Sequence, residues 1–116
     1  MRITLLLPLC LFLVTGCHHA PRNVLGKPPR GPQYSILSIK AGTTPPQVCL
    51  RGVMIEKCPV AGCWFRLRDS TGVIKVDTKA AGFVVVNVPV QQTLTVAGKV
   101  ALDGDDVVIQ ASGIRY

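Results

Sequence analysis

Hydrophobic and polar positions divide this chain into three regimes. Residues 3–14 are almost continuously apolar. Residues 18–46 follow no period; six of the nine prolines fall there (Pro21, Pro28, Pro29, Pro32, Pro45, Pro46), with glycines between them. From Gln47 onward, short runs alternate apolar with polar side chains and are separated by turn residues, which is how β-strands read.

Five strands are expected in the third regime. The first covers residues 48–57, with Gly52 in its middle, where a missing side chain permits a bend or bulge. After a break at Pro59, Val60, Ala61 and Gly62, the second covers 63–68. Period-two alternation there turns Phe65 and Leu67 to one face and Trp64, Arg66 and Arg68 to the other. Asp69, Ser70, Thr71 and Gly72 form a turn by composition. The third strand, 73–78, places Ile74 and Val76 inward and Lys75 and Asp77 outward. A break at residues 79–82 precedes a short buried stretch at 83–86, ended by Pro89. The fourth strand covers 93–101, Asp103, Gly104 and Asp105 turn the chain, and the fifth covers 106–113. Valine and threonine recur through these runs, in keeping with β propensity. No amphipathic helix is expected, and residues 34–39 within the proline-rich stretch are apolar enough to dock as a short added strand.

Five strands with a glycine-bent first member and a closing hairpin predict an all-β fold, a small five-stranded OB-like Greek-key barrel. The connector between the third and fourth strands, about residues 79–92, is expected to be a turn plus a strand where an OB barrel usually has a helix.

The N-terminal regime changes where this barrel works. Arg2 followed by the apolar run has the length of a signal peptide, too short to span a bilayer comfortably. Leu13, Val14, Thr15, Gly16 and Cys17 resemble a bacterial lipobox, in which small residues precede a cysteine that is acylated and becomes the new N-terminus. An ordinary secretory signal with a chance cysteine is the plainer alternative. On the lipobox reading, residues 1–16 are the signal, 17–46 a lipidated cysteine and flexible tether, and 47–116 the barrel. Several acyl chains, palmitate among them, then anchor the chain stably to a membrane of the bacterial envelope, facing the periplasm. His18, rather than an aspartate, after Cys17 points towards the outer membrane.

Net charge is +7 over the whole chain, yet from Gln47 onward eight basic residues face six acidic ones, a net of +2. Arg22, Lys27, Arg30 and Lys40 precede residue 47 without any acidic residue among them. A basic strip next to a lipid anchor suits an anionic membrane surface; a solvated linker accounts for such sparse charges equally simply. Nucleic acid is disfavoured as a partner by the compartment and by the small charge of the barrel.

Cysteines supply the candidate chemistry. Cys10 leaves with the signal and Cys17 carries lipid, which leaves Cys49, Cys58 and Cys63 in an oxidising compartment. Cys58 and Cys63, at the tip of a predicted hairpin, lie nearly opposite one another, and cross-strand Cβ atoms are about 4.5–5.5 Å apart. A disulfide there, closing so short a loop, adds about 2 kcal/mol, and it leaves Cys49 unpaired. Three alternatives stay open: a metal site of Cys49, Cys58 and Cys63, with His18 or His19 as a further ligand; a redox thiol pair; or thiols that stay unpaired. Soft sulfur ligands select Cu(I) or Zn, but the spacing matches no zinc-ribbon pattern.

The run CPVAGCWF over residues 58–65, with Leu67, Asp69, Thr71 and Gly72, and the run VDTKAAGF over 76–83 resemble small bacterial exported OB-fold domains that carry a Cys-x4-Cys-Trp motif. Such domains are commonly labelled nucleic-acid-binding or anticodon-binding-like. The resemblance covers roughly residues 48–116 and implies the fold; no defined activity comes with it.

Trp64, Arg66, Arg68 and Lys75 share the outer face of the second and third strands, the surface on which OB barrels usually bind. An aromatic plane beside guanidinium groups stacks on planar ligands and pairs with anions; a solvated sheet face with a covered tryptophan is the plainer alternative. Catalytic arrangements are thin. His18 and His19 are the only histidines, and the aspartates fall largely at turns. There is no P-loop, no GxGxxG motif after a strand and no nucleophile elbow, and no cofactor is implied. The expectation is a lipid-anchored envelope binding or scaffold module, not an enzyme, whose ligand is an envelope protein or an anionic polymer. A thiol-based metal or redox protein using Cys58 and Cys63 is the alternative, and a nucleic-acid-binding domain the second.

Overall fold

A computed structural model describes residues 23–116; the proposed acylation site Cys17, with His18 and His19, lies outside the described residues. The elements in order are β1 (Val24–Gly26), α1 (Ile36–Lys40), β2 (Gln47–Lys57), β3 (Trp64–Asp69), β4 (Gly72–Asp77), a 3-10 turn (Lys79–Ala81), β5 (Thr93–Asp103) and β6 (Asp106–Arg115). Strands β2, β3, β4, β6 and β5 pair in that order, and β5 pairs back onto β2 to close a barrel. All neighbours in the ring are antiparallel except β4 with β6. This is the expected all-β, five-stranded OB-like barrel.

Closure depends on β2, which pairs with β5 from Gln47 to Val53 and with β3 from Val53 to Lys57. The handover falls where the sequence places Gly52. A Cβ there would stand 2.5 Å from the carbonyl oxygen of Arg68, so only glycine lets β2 bend this close to β3. A bulge between Met54 and Glu56 completes the bend.

Inward alternation fills the barrel. Leu50, Met54, Phe65, Leu67, Ile74, Val76, Leu94, Val96, Ile109 and Ile114 are fully buried in one cluster. Both ends of the barrel are closed by apolar plugs. Val85 and Val88, from the loop after the 3-10 turn, close the end where β3 begins. Ile36 and Ile39 of α1 close the end where β3 turns into β4; Ile36 lies against the site of Gly72.

Three expectations are corrected. Residues 34–39 dock as expected, but as a turn of helix and not a strand: Ile36 and Ile39, three apart, fall on one helical face and reach into the barrel mouth together. The ordered domain also begins well before residue 47. β1 pairs with β6 through Val24–Arg115, Leu25–Ile114 and Gly26–Gly113. It covers the part of β6 that β4, pairing only with Val108, Ile109 and Gln110, leaves open. Much of the expected tether is therefore part of the fold. The 79–92 connector is the third: it contains no strand, and within the expected buried stretch Val85 is buried while Val84 and Val86 are exposed. Two valines there replace an OB helix as the plug.

Candidate functional site

The β2–β3 connection carries the cysteine pair. The amide of Cys58 donates to the carbonyl of Trp64 (3.0 Å), continuing the hairpin, and the amide of Gly62 donates back to the carbonyl of Cys58 (3.2 Å). Pro59 suits the first position of this single turn, because its missing N–H has no partner to lose. Gly62 ends the turn at φ +60°, and a Cβ there would stand 2.7 Å from the amide nitrogen of Val86. The plug loop holds the turn from outside: Val85 donates to the carbonyl of Gly62 (2.8 Å), and Thr78 donates to the carbonyl of Cys63 (2.9 Å). The Nζ of Lys57 clamps the plug loop in turn, donating to the carbonyls of Val86 (2.9 Å) and Val88 (2.6 Å).

Within this frame Cys58 stands at the N-terminal end of the turn, where hydrogen bonding from the backbone of Ala61 and Val60, and more weakly of Gly62 and the Cys63 side chain, favours its charged form. These donors stabilise the thiolate and lower the Cys58 pKa to about 7, against the opposing effect of desolvation. Cys58 and Cys63 are both free and half-exposed, so the expected structural bridge is not made. Cys49 is free, buried and elsewhere: it pairs with Ala97 near the start of β2 and donates its thiol proton to the carbonyl of Arg30 (2.8 Å). Nine residue steps along β2 separate it from Cys58, at most about 30 Å at about 3.3 Å each. No three metal-ligating side chains gather among the described residues. The Cys49, Cys58 and Cys63 ligand set is thereby corrected; only Cys58 and Cys63 come together.

The β3–β4 face has the register that alternation predicts. Phe65 and Leu67 are fully buried, Arg66 and Arg68 are exposed, and Trp64 is half-buried. Arg66 stands directly across from Lys75, and Trp64 from Asp77. The Lys75 ammonium sits 5.4 Å from the centroid of the Trp64 ring, within cation–π range. Carboxylates that the sequence reading did not place on this face temper its charge. Glu56 pairs with Arg66 (3.3 Å), and Asp103, from the β5–β6 hairpin, reaches Lys75 (4.0 Å). An open groove of about 390 Å³ runs between this face and that hairpin, lined by Lys40, Arg66 and Lys75 on one side of the charge balance and Asp103, Asp105 and Asp106 on the other.

Asp69 is a structural residue that sequence reasoning saw only as a turn former. Its Oδ1 accepts from the amides of Thr71 (2.7 Å) and Gly72 (3.1 Å) and from the Thr71 hydroxyl (2.6 Å). Its Oδ2 accepts from the amide of Ile36 (2.9 Å), while the Thr71 hydroxyl accepts from the amide of Leu37 (3.0 Å). With the Ser35 hydroxyl on the amide of Ser38 (3.1 Å), the β3–β4 turn thus satisfies the open N-terminal amides of α1.

No family model matches the chain, and no curated protein matches it. Among solved structures it is similar to the hypothetical protein ygiW from E. coli, at 27% identity and a TM-score of 0.55, over 75% of this chain and 91% of that one. That likeness supports a small closed OB-like barrel.

Proposed function

We propose that this chain is a lipid-anchored binding module of the bacterial envelope, attached through Cys17, whose ligand lies across the β3–β4 face. The observation that carries the reading is Trp64, half-buried on that face, with Lys75 over its ring and Arg66, then Arg68, exposed further along the same face of β3. A half-open aromatic ring flanked by cations suits a planar or sugar ring that carries, or adjoins, negative charge. The carboxylates in the neighbouring groove disfavour a uniform polyanion such as nucleic acid. They favour an envelope protein, or a polymer bearing both charges, such as cell-wall glycan with its peptides.

Co-sedimentation of the detergent-extracted lipoprotein with purified cell-wall sacculi, and cross-linking in intact envelopes, test this reading. Trp64→Ala and the pair Arg66→Ala with Arg68→Ala are each expected to lower sedimentation or cross-linking several-fold. Full retention by both variants would overturn it. The alternative thiol function draws on a separate observation, the donors gathered on Cys58.

A further inference from the structure

We propose that Cys58 and Cys63 form a redox-active dithiol, in which Cys58 attacks a disulfide of a partner protein and Cys63 resolves the mixed disulfide. This goes beyond the binding reading and does not depend on it. Three features of the loop carry it.

Both thiols are free and half-exposed on one turn, whose ends the bond from the Cys58 amide to the Trp64 carbonyl (3.0 Å) draws together, whereas Cys49 is buried in the barrel wall. The turn is also held at every corner, by Cys58 to Trp64, Gly62 to Cys58, Val85 to Gly62 and Thr78 to Cys63. Such bracing fixes the backbone on both sides of the cysteine pair. Finally, the turn that Gly62 closes onto the carbonyl of Cys58 leaves the amides of Val60 and Ala61 at its N-terminal end, on the Cys58 side, with Cys63 beyond it, which makes the two thiols unequal. No cation supplies the effect: Lys57, the adjacent base, spends its ammonium on the carbonyls of the plug loop. Residues 83–88 of that loop contain no titratable side chain. Asp77, across from Trp64, is turned to the amide of Lys79 (2.8 Å). Thr78, paired through its amide with Cys63, has a buried hydroxyl without a hydrogen-bond partner among the described residues, an unused polar group next to the resolving cysteine.

The chemistry balances as follows. The Cys58 thiolate attacks one sulfur of the partner disulfide, an S–S bond forms to Cys58, and the other partner sulfur leaves as thiolate. Cys63 loses its proton and attacks the Cys58 sulfur, and the second partner sulfur leaves. The partner disulfide gains two electrons and the two protons of Cys58 and Cys63; the pair ends as a disulfide. The reverse sequence oxidises a partner dithiol. Stabilising the Cys58 thiolate favours the reduced pair, so the bridged form is the readier oxidant.

Oxidised glutathione and the detergent-extracted lipoprotein test the assignment. At pH 7 the wild-type chain should release two glutathiones per bridge formed, with the bridge mapped to Cys58 and Cys63. Cys63→Ser should stop at a glutathione adduct on Cys58. Cys58→Ser should react at least tenfold more slowly. Iodoacetamide labelling of the intact reduced chain, which needs no variant, should find Cys58 half-reactive near pH 7 and ahead of Cys63. Adducts resting on Cys63, equal labelling of both thiols, or a bridge that a glutathione buffer cannot reopen would each overturn the proposal, the last in favour of a structural disulfide.

Discussion

Asp69 shows how much one side chain holds when all its acceptors are used. Burial alone would raise its pKa, but hydrogen bonds from the Thr71 hydroxyl and from the amides of Ile36, Thr71 and Gly72 outweigh that and lower it. A carboxyl whose folded pKa lies below its unfolded one stabilises the fold at pH above the unfolded value, near 3.9, and loses that contribution as pH falls through the folded value. Asp69→Asn leaves one acceptor oxygen and points an amide at donors. It is expected to destabilise the domain by about 1–2 kcal/mol at pH 7, with the difference from wild type shrinking below pH 4 in urea melts. An equal penalty at pH 3 and pH 7 would contradict the charge-dependent account. Thr78 presents the opposite case. Its buried hydroxyl has no partner among the described residues, so Thr78→Val, which keeps the shape, should raise stability by about 1 kcal/mol. A lower melting temperature would mean that the hydroxyl is in use.

At the scale of elements, the barrel strands were legible and the elements that seal it were not. Alternation in residues 63–68 and 73–78 predicts the Phe65, Leu67, Ile74 and Val76 core and the outward Trp64 and Arg66, because a half-buried strand repeats every second residue. Gly52 marks the bend for a comparable reason: backbone approach leaves a sequence trace when only glycine fits. α1 leaves almost none. Five residues are too few to show a helical period, and its amides are capped by Asp69 and Thr71, more than thirty residues away in sequence. β1 is three residues long and is specified by the edge it covers. The cysteine spacing showed that Cys58 and Cys63 meet. It did not show the amides on Cys58, although Pro59 and Gly62 are the residues such a turn requires. Sealing elements still carry much of the stability. Ile36→Ala opens a cavity in the barrel mouth and is expected to cost about 2–4 kcal/mol, measured by chemical denaturation of the full chain. A loss below about 1 kcal/mol, within the range of exposed-site changes, would show that α1 is a loosely attached appendage.

Across the whole molecule, the early start of the fold changes how an acylated Cys17 positions the barrel. Asn23 already pairs with Tyr116 in both directions, at 2.9 and 3.0 Å, so the chain is tied to the barrel from that residue onward. Between Cys17 and Asn23, six residue steps reach at most about 21 Å at full extension. An anchored barrel therefore stays near the headgroups and does not range on a long tether. Arg51 and Arg115 flank Thr95 across β2, β5 and β6, with Tyr116 adjoining, and the described residues place no carboxylate within ion-pair distance of either arginine. The β3–β4 face, by contrast, carries paired charge. The arginine row suits an anionic lipid surface, which would leave the Trp64 face for a ligand. Trp64 is the one tryptophan in the chain and reports on this arrangement directly. In vesicles containing anionic lipid and a dansyl-labelled lipid, the lipidated protein should show strong energy transfer from Trp64. A ten-residue Gly/Ser insertion after Arg22 together with Arg51→Ala and Arg115→Ala should lower it markedly, while the insertion alone lowers it little in anionic vesicles and more in neutral ones. Equal transfer from all three forms in both vesicle types would show that neither the short linker nor the arginine row sets the barrel's distance from the membrane.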